Sequence, residues 1–110
     1  MPASNRATRP ATHDDGFLID GTLWNEQVAE QLAGLIPLTL TDAHWEIIRF
    51  IREYHHRFQH LPNNRLFVKA VERALGPEKG NSRYLHALFN GSPVRYACLI
   101  AGLPKPPGCL

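Results

Sequence analysis

TDAHWEIIRFIREYHHRF, residues 41–58, is the longest helical pattern in the sequence. Thr41 is a good N-cap, and Asp42 places an acidic side chain in the first turn. Apolar residues then recur at helical spacing and share one face of the chain. They are Trp45, Ile47, Ile48, Phe50, Ile51 and Tyr54. The pattern predicts a long amphipathic helix that starts at residue 42.

Four shorter helices are predicted around this one from the same apolar spacing and from their end signals. In chain order they are WNEQVAEQLAGLI (24–36), RLFVKAVERALG (65–76), SRYLHALF (82–89) and SPVRYACLIAG (92–102). Pro37 ends the first, and Gly76 closes the second. Ser92 is a good N-cap for the last helix, where Pro93 suits the first helical position and Gly102 suits the end.

DDGFLID, residues 14–20, is the candidate β element, because Asp-Gly marks a turn and the next three residues are apolar. We therefore expect an α+β fold that is mostly helical, an orthogonal helix array with a helix-turn-helix-like pair. The length of 110 residues fits one domain. The expected division is a disordered tail over 1–13, a single domain over 14–102 and a mobile C-terminal arm over 103–110.

Composition excludes several classes of protein. Hydrophobic residues at 44% and charged residues at 20% argue against a disordered chain and against a membrane protein. The formal charge of +2 is too small to indicate a nucleic-acid-binding protein by itself. MPASNRATRPATH, residues 1–13, lacks the apolar stretch of a signal peptide. A cytoplasmic location is expected, where a disulfide is transient chemistry more often than a structural bond.

Cys98 and Cys109 are the two cysteines. Cys98 falls in the last predicted helix, three residues after Arg95, where a cation lowers the pKa of a thiol. A buried cysteine that acts only as a small apolar residue is the other interpretation of Cys98. Cys109 lies in AGLPKPPGCL (101–110), behind three prolines that favour an extended backbone. An exposed thiol near a chain end indicates a functional role, either towards another protein or back towards Cys98. A flexible end with no role is the other interpretation of Cys109.

Four separated motifs resemble the DsrC/TusE sulfur-relay family, whose members include the dissimilatory sulfite reductase gamma subunit. They are DGFL (15–18), TDAHWEIIRFIREY (41–54), LGPEKGNSRYLHALF (75–89) and AGLPKPPGCL (101–110). The resemblance implies that Cys109 accepts and carries sulfur as a persulfide. It also implies that Cys98 bonds to Cys109 in an intramolecular disulfide or trisulfide, as is typical of the DsrC branch. Arg95, at a position where the family commonly has a lysine, and Lys105 are expected to support the thiolate.

The function implied by this resemblance is sulfur carriage by thiol exchange. The expected partners are sulfur-donor and acceptor proteins, either sulfite reductase or a relay of the DsrEFH or TusBCD kind. The alternative within the family is a TusE-type relay for tRNA 2-thiouridine synthesis. No cofactor, metal or membrane insertion is expected.

A basic stripe is predicted on the helix over 65–76, because Arg65, Lys69 and Arg73 recur every four residues. Three interpretations stay open: a solvated face, a surface that docks an acidic protein, and contact with nucleic acid. Two helices joined by a short turn, the second of them basic, form the helix-turn-helix pattern. A helix-turn-helix nucleic-acid-binding protein is therefore the rival hypothesis from another class.

Four histidines in residues 44–60 invite a zinc hypothesis, since His56 and His60 are one helical turn apart. The cysteines are eleven residues apart, whereas zinc sites usually pair cysteines two to four residues apart. His44, near a helix start, is instead expected to hydrogen-bond locally, and His55 with His56 to lie on a solvated face.

Overall fold

Five α-helices make up most of the part of the chain that the structure, a computed structural model, describes, residues 9–107. They are α1 (Glu26–Gly34), α2 (Asp42–Phe58), α3 (Asn64–Leu75), α4 (Ser82–Leu88) and α5 (Pro93–Ile100), and a short 3-10 helix at Gly21–Leu23 precedes α1. The mostly helical fold is therefore confirmed. Residues 1–8 and 108–110 lie outside the described range.

The helix ends carry the signals that their sequences predict. The side chains of three asparagines cap α1, α3 and α4 by accepting a backbone N–H from the first turn; they are Asn25, Asn63 and Asn81. Thr41 precedes α2 and Ser92 precedes α5, with Pro93 in the first turn of α5. Gly76 closes α3 with a φ of 97°, which a residue with a side chain rarely adopts.

α5 occupies the centre of the fold, because each of the other four helices packs against it. Every residue of its second half is buried, from Ala97 to Ile100. The largest fully buried side chains come from all five helices and include Leu32, Ile47, Ile48, Ile51, Phe67, Leu85, Phe89 and Leu99. The last helix of the chain is thus the one on which the core is built.

The N-terminal β element is reduced to one isolated antiparallel bridge between Thr12 and Leu18. Backbone hydrogen bonds join His13 to Phe17 at 2.8 Å and Ile19 to Ala11 at 3.1 Å, around a turn at Gly16. The short strand or hairpin arm predicted over 14–20 is not confirmed beyond this bridge, since residues 14–16 form the turn. Residues 11–13 belong to this loop, and the division of the chain into a tail, a domain and an arm stays a prediction.

α1 starts two residues later than predicted. Trp24 ends the 3-10 helix, so its ring is not on the face of α1. Leu35 follows the helix and is 44% exposed, so the apolar face of α1 is narrower than the sequence spacing indicates. α2 and α3 are consecutive and are joined by residues 59–63, and their arrangement as a helix-turn-helix-like pair stays a prediction. None of the helices within residues 9–107 is long and apolar enough to span a bilayer.

Candidate functional site

Cys98 lies in the last turn of α5, and its side chain is fully buried. Its backbone carbonyl accepts a hydrogen bond from the N–H of Leu103 at 3.0 Å, and that of Leu99 accepts one from Gly102 at 3.2 Å. Gly102 has a φ of 72°. This is the Schellman arrangement that ends many helices at a glycine. The arm that carries Cys109 therefore leaves α5 through a fixed turn.

Two side chains from other parts of the chain complete the end of α5. The indole Nε1–H of Trp24 donates to the carbonyl of Ile100 at 2.8 Å. The Nη1–H of Arg52 donates to the carbonyl of Ala101 at 2.7 Å. An α-helix leaves its last four carbonyls without partners inside the helix. All four of these carbonyls have a hydrogen bond here, so this helix end is fully satisfied.

Trp24 and Arg52 also contact each other. The guanidinium carbon of Arg52 lies 3.8 Å from the centre of the Trp24 ring, a close cation–π contact. The ring packs so tightly on Gly102 that a Cβ atom there would overlap it. Burial lowers the pKa of Arg52 from its ordinary value. We call the contact of Trp24 and Arg52 with the end of α5 the α5 clasp.

The start of the predicted arm packs on the domain. Leu103 and Pro106 are buried, whereas Pro104 and Pro107 are exposed. The ammonium group of Lys105 lies 3.0 Å from a carboxylate oxygen of Asp15. Hydrogen bonding from Lys105, and then from the backbone N–H of Phe17, lowers the pKa of Asp15. The described partner of Lys105 is Asp15, and its support of the thiolate stays a prediction because Cys109 lies outside residues 9–107.

Arg95 was also expected beside the thiol of Cys98. Its guanidinium carbon lies 5.9 Å from the centre of the Phe17 ring, so Arg95 contacts the N-terminal loop. Cys109 lies outside the described residues, and its approach to Cys98 and to either cation stays a prediction.

An open groove of about 950 Å³ runs along the base of the arm. Its walls come from the N-terminal loop, α2 and the arm, and include Asp15, Phe17, Leu18, Arg52, His55 and Lys105. Arg52, one of the two residues of the α5 clasp, lines this groove. A protein that binds in this groove would contact both Arg52 and the start of the arm.

The basic stripe on α3 is exposed as its spacing predicts. Arg65, Lys69 and Arg73 are all exposed, and the apolar Leu66 beside them is 52% exposed. Within residues 9–107 the ion pairs involve other cations, namely Arg49, Lys79 and Lys105. The charges of the stripe are thus available to a partner.

The histidines of residues 9–107 do not form a metal site. Within residues 9–107 no group of three His, Cys, Asp or Glu side chains could hold a metal ion. His44 is buried and hydrogen-bonds locally to Thr41, as predicted. The ring of His60 packs against the rings of Tyr54 and Phe58.

Comparison with known proteins identifies the family. A family model described as DsrC like protein matches residues 5–110. The chain belongs to the DsrC-like family. The match runs through the arm and includes both cysteines, so the resemblance seen in the four sequence motifs is confirmed.

Curated relatives of this DsrC-like chain carry sulfurtransferase names. The TusE homolog of Haemophilus influenzae is 46% identical over 99 residues, which are 90% of this chain and 91% of that protein. The sulfurtransferase TusE of Pectobacterium atrosepticum is 46% identical over 100 residues, covering 91% and 92% of the two chains.

Solved DsrC structures share the fold. The NMR structure of Allochromatium vinosum DsrC matches with a TM-score of 0.82 and 46% identity, covering 91% of this chain and 89% of that one. The oxidised gamma-subunit of dissimilatory sulfite reductase from Archaeoglobus fulgidus matches with a TM-score of 0.77 and 40% identity, covering 92% of each chain.

Trp24 and Arg52 border the candidate site, and the sequence analysis did not single out either residue. One signal pointed to Arg52, because it follows Ile51 on the apolar side of α2, where an arginine needs a buried acceptor. Trp24 gave no such signal, since its position fitted an apolar helix face.

Proposed function

We propose that this chain is a sulfur carrier that accepts sulfane sulfur on Cys109 and delivers it to a second protein. The observation that carries the proposal is the family match through residue 110, together with the sulfurtransferase names of relatives that cover about nine-tenths of the chain. The structure adds a fixed turn at Gly102 from which the arm departs.

The loading step is a thiol exchange. The Cys109 thiolate attacks the outer sulfur of a donor persulfide, R–S–SH, so that a new S–S bond forms and the donor's S–S bond breaks. The donor leaves as its thiolate, and no outside oxidant or reductant is needed. The acceptor's thiolate then attacks the outer sulfur on Cys109 in the same way.

Cys98 provides a second outcome for the loaded sulfur. Its thiolate attacks the inner sulfur of the Cys109 persulfide, forms the Cys98–Cys109 disulfide and expels the outer sulfur as HS⁻. The outer sulfur gains the two electrons that the two thiols lose. A cellular dithiol then reduces the disulfide and restores the carrier.

The relatives bear on which pathway the chain serves. The sequence alone placed delivery to sulfite reductase first, whereas the names of the curated relatives favour the alternative, a TusE-type relay for tRNA 2-thiolation. The presence of Cys98, a cysteine typical of the DsrC branch, supports the DsrC-type role as the second candidate. In the native host, loss of 2-thiouridine from tRNA after gene deletion would support the TusE-type role. Loss of growth on reduced sulfur compounds would support the DsrC-type role.

Intact mass spectrometry tests the carrier function directly. The reduced protein is incubated with a small persulfide donor, and the mass of each variant is recorded. Wild type and Cys98→Ser are expected to gain sulfur, and Cys109→Ser is not, because Cys98 is buried. Equal loading of Cys109→Ser would contradict the assignment of Cys109.

A further inference from the structure

The turn between α4 and α5 contains an asparagine followed by a glycine, Asn90 and Gly91. Among the asparagines of the sequence, only Asn90 precedes a glycine. Asparagine is a thermolabile residue, and a glycine after it leaves its backbone nitrogen unhindered by a side chain. Both residues are exposed, and no atom outside the adjacent residues lies within 4 Å of where a Cβ of Gly91 would be. The surroundings therefore leave room for these two residues to react with each other.

Two hydrogen bonds hold the groups that would react. The Nδ2–H of Asn90 donates to the carbonyl of Ile36, in the loop between α1 and α2, at 3.1 Å. The backbone N–H of Gly91 donates to the carbonyl of His86 at 2.7 Å. Asn90 also has a φ of 54°, a left-handed conformation that is unfavourable for a residue with a side chain. An attack of the Gly91 nitrogen on the Asn90 side chain therefore requires a transient opening of this exposed turn.

We propose that Asn90 is a site of spontaneous deamidation, and that the two hydrogen bonds of the α4–α5 turn set its rate. The Gly91 nitrogen forms a bond to Cγ of Asn90, and the side-chain amide leaves as ammonia with the proton from that nitrogen. The product is a cyclic succinimide. Water then opens the ring at either carbonyl, which gives aspartate or isoaspartate. Neither thiol takes part, so the proposal is independent of the sulfur carriage proposed above.

The modification removes a contact between two parts of the fold. The amide of Asn90 is the donor to the Ile36 carbonyl, and a carboxylate has no N–H to donate. Two oxygen atoms then face each other in place of a hydrogen bond, which is unfavourable. Isoaspartate also inserts the side-chain methylene into the backbone of the turn that leads into α5. The loop of residues 35–41 is therefore expected to lose its link to the α4–α5 turn.

Peptide mass spectrometry measures the modification. The full chain is incubated at neutral pH, and samples taken over time are digested with trypsin. Cleavage after Arg83 and Arg95 releases residues 84–95, in which Asn90 is the only asparagine. We expect this peptide to gain the mass difference between an amide and an acid, and to separate into two products. The isoaspartate product is specific to the succinimide route, because direct hydrolysis of the amide gives aspartate alone. A fresh sample corrects for modification during digestion.

The same digest supplies a matched control. Cleavage also releases residues 58–65, which contain Asn63 and Asn64, and neither of these precedes a glycine. The side chain of Asn63 accepts the N–H of Leu66 at 2.9 Å, at the start of α3. We expect this peptide to stay unmodified while Asn90 reacts. The variant Asn90→Gln should also stay unmodified, because glutamine must close a larger ring. Equal modification of the control peptide would overturn the assignment to the Asn90–Gly91 pair.

Hydrogen exchange measures the structural consequence. Aged wild type and Asn90→Asp should exchange the backbone amides of residues 35–41 several-fold faster than fresh wild type, while the amides of α3 stay unchanged. Identical exchange in the fresh, aged and Asn90→Asp proteins would show that the side chain of Asn90 does not link the two segments.

A comparison of folded and unfolded states tests the role of the turn. A synthetic peptide of residues 84–95 and the full chain in guanidinium chloride lack both hydrogen bonds, so they should react at similar rates. The folded chain should react at least about tenfold more slowly, because the turn must open before the reaction. Equal rates in the folded and unfolded chain would show that these hydrogen bonds do not control the reaction. A folded chain that stays unmodified through many half-lives of the synthetic peptide would overturn the proposal.

Discussion

Asp15 shows how one side chain connects two ends of the described chain. Its carboxylate accepts the backbone N–H of Phe17, two residues later, and pairs with Lys105 at the start of the arm. The sequence predicted a turn at Asp15 and Gly16 but gave no reason to place Lys105 beside it. A partly exposed ion pair contributes little to global stability. Its local effect is to fix where the arm begins.

The titration of Asp15 tests this pair. Since Lys105 is the main cause of the lowered pKa, Lys105→Gln should move the pKa of Asp15 back towards its ordinary value of 3.8. The stabilisation from the pair is present at neutral pH and is lost as the pH falls below 3.8 through the lowered pKa. NMR titration of the Asp15 carboxyl measures its pKa in the wild type and in Lys105→Gln. Lys79→Gln, which breaks the pair with Glu46, is the control and should leave Asp15 unchanged.

At the scale of elements, His44 joins the start of α2 to the end of α4. The backbone N–H of Thr41 donates to Nδ1 of His44 at 3.0 Å. Nε2 of His44 lies 2.7 Å from the carbonyl oxygen of Leu88. A carbonyl only accepts, so Nε2 carries the proton and Nδ1 is the acceptor. The ring edge also packs on Phe89. His44 is buried, so all its hydrogen bonds matter to the fold.

His44→Ala should lower the free energy of unfolding by about 2–3 kcal/mol, because it leaves two backbone groups without their partner and opens a cavity. Urea unfolding followed by circular dichroism gives the value. His56→Ala, exposed on the same helix, should change it by less than about 0.5 kcal/mol. Similar losses in the two variants would mean that the hydrogen bonds of His44 have no special role.

The elements differ in how far the sequence predicts them. All five helices follow from apolar spacing and capping residues, and Thr41, Gly76 and Pro93 stand at the expected ends. A strand is stable only when another strand pairs with it. The apolar residues 17–19 pack in another way, since Phe17 and Leu18 join the helical core and Ile19 is 58% exposed. Local sequence shows the turn at Gly16 but not where the next residues pack.

The candidate site divides in the same way. Both thiols and the basic stripe are visible in the sequence, because residue type and spacing indicate them directly. The α5 clasp is not, since Trp24 and Arg52 reach α5 from 76 and 49 residues away in sequence. Only the packing of α2 and the N-terminal loop around α5 brings these donors to the same helix end.

For the whole molecule, the basic stripe and the groove are separate surfaces. The stripe lies on α3, whereas the groove lies between the N-terminal loop, α2 and the arm. A carrier that accepts sulfur from one protein and gives it to another must be recognised by both. The exposed Leu66 among three basic residues suits a partner whose acidic surface includes an apolar contact.

Charge reversal tests this surface. Changing Arg65, Lys69 and Arg73 to Glu should weaken binding to a purified donor or acceptor protein at least tenfold, because like charges then face each other. Loading from a small persulfide should be unaffected. The control reverses three other exposed arginines, Arg49, Arg57 and Arg83, and should keep most of the affinity. Isothermal titration calorimetry measures the dissociation constant of each variant. Tight, sequence-specific duplex DNA binding, lost in the stripe variant, would instead favour the helix-turn-helix hypothesis.

The central position of α5 has a consequence for synthesis on the ribosome. Translation releases α1 to α4 first, and the helix against which all four pack is made after them. A nascent chain that has reached Ser92 displays apolar faces with nothing to cover them, and such surfaces attract chaperones and promote aggregation. Folding in one late, cooperative step is therefore expected, with no stable intermediate built from the earlier helices. If a ribosome stalls before α5 emerges, the apolar faces of the earlier helices stay exposed to solvent.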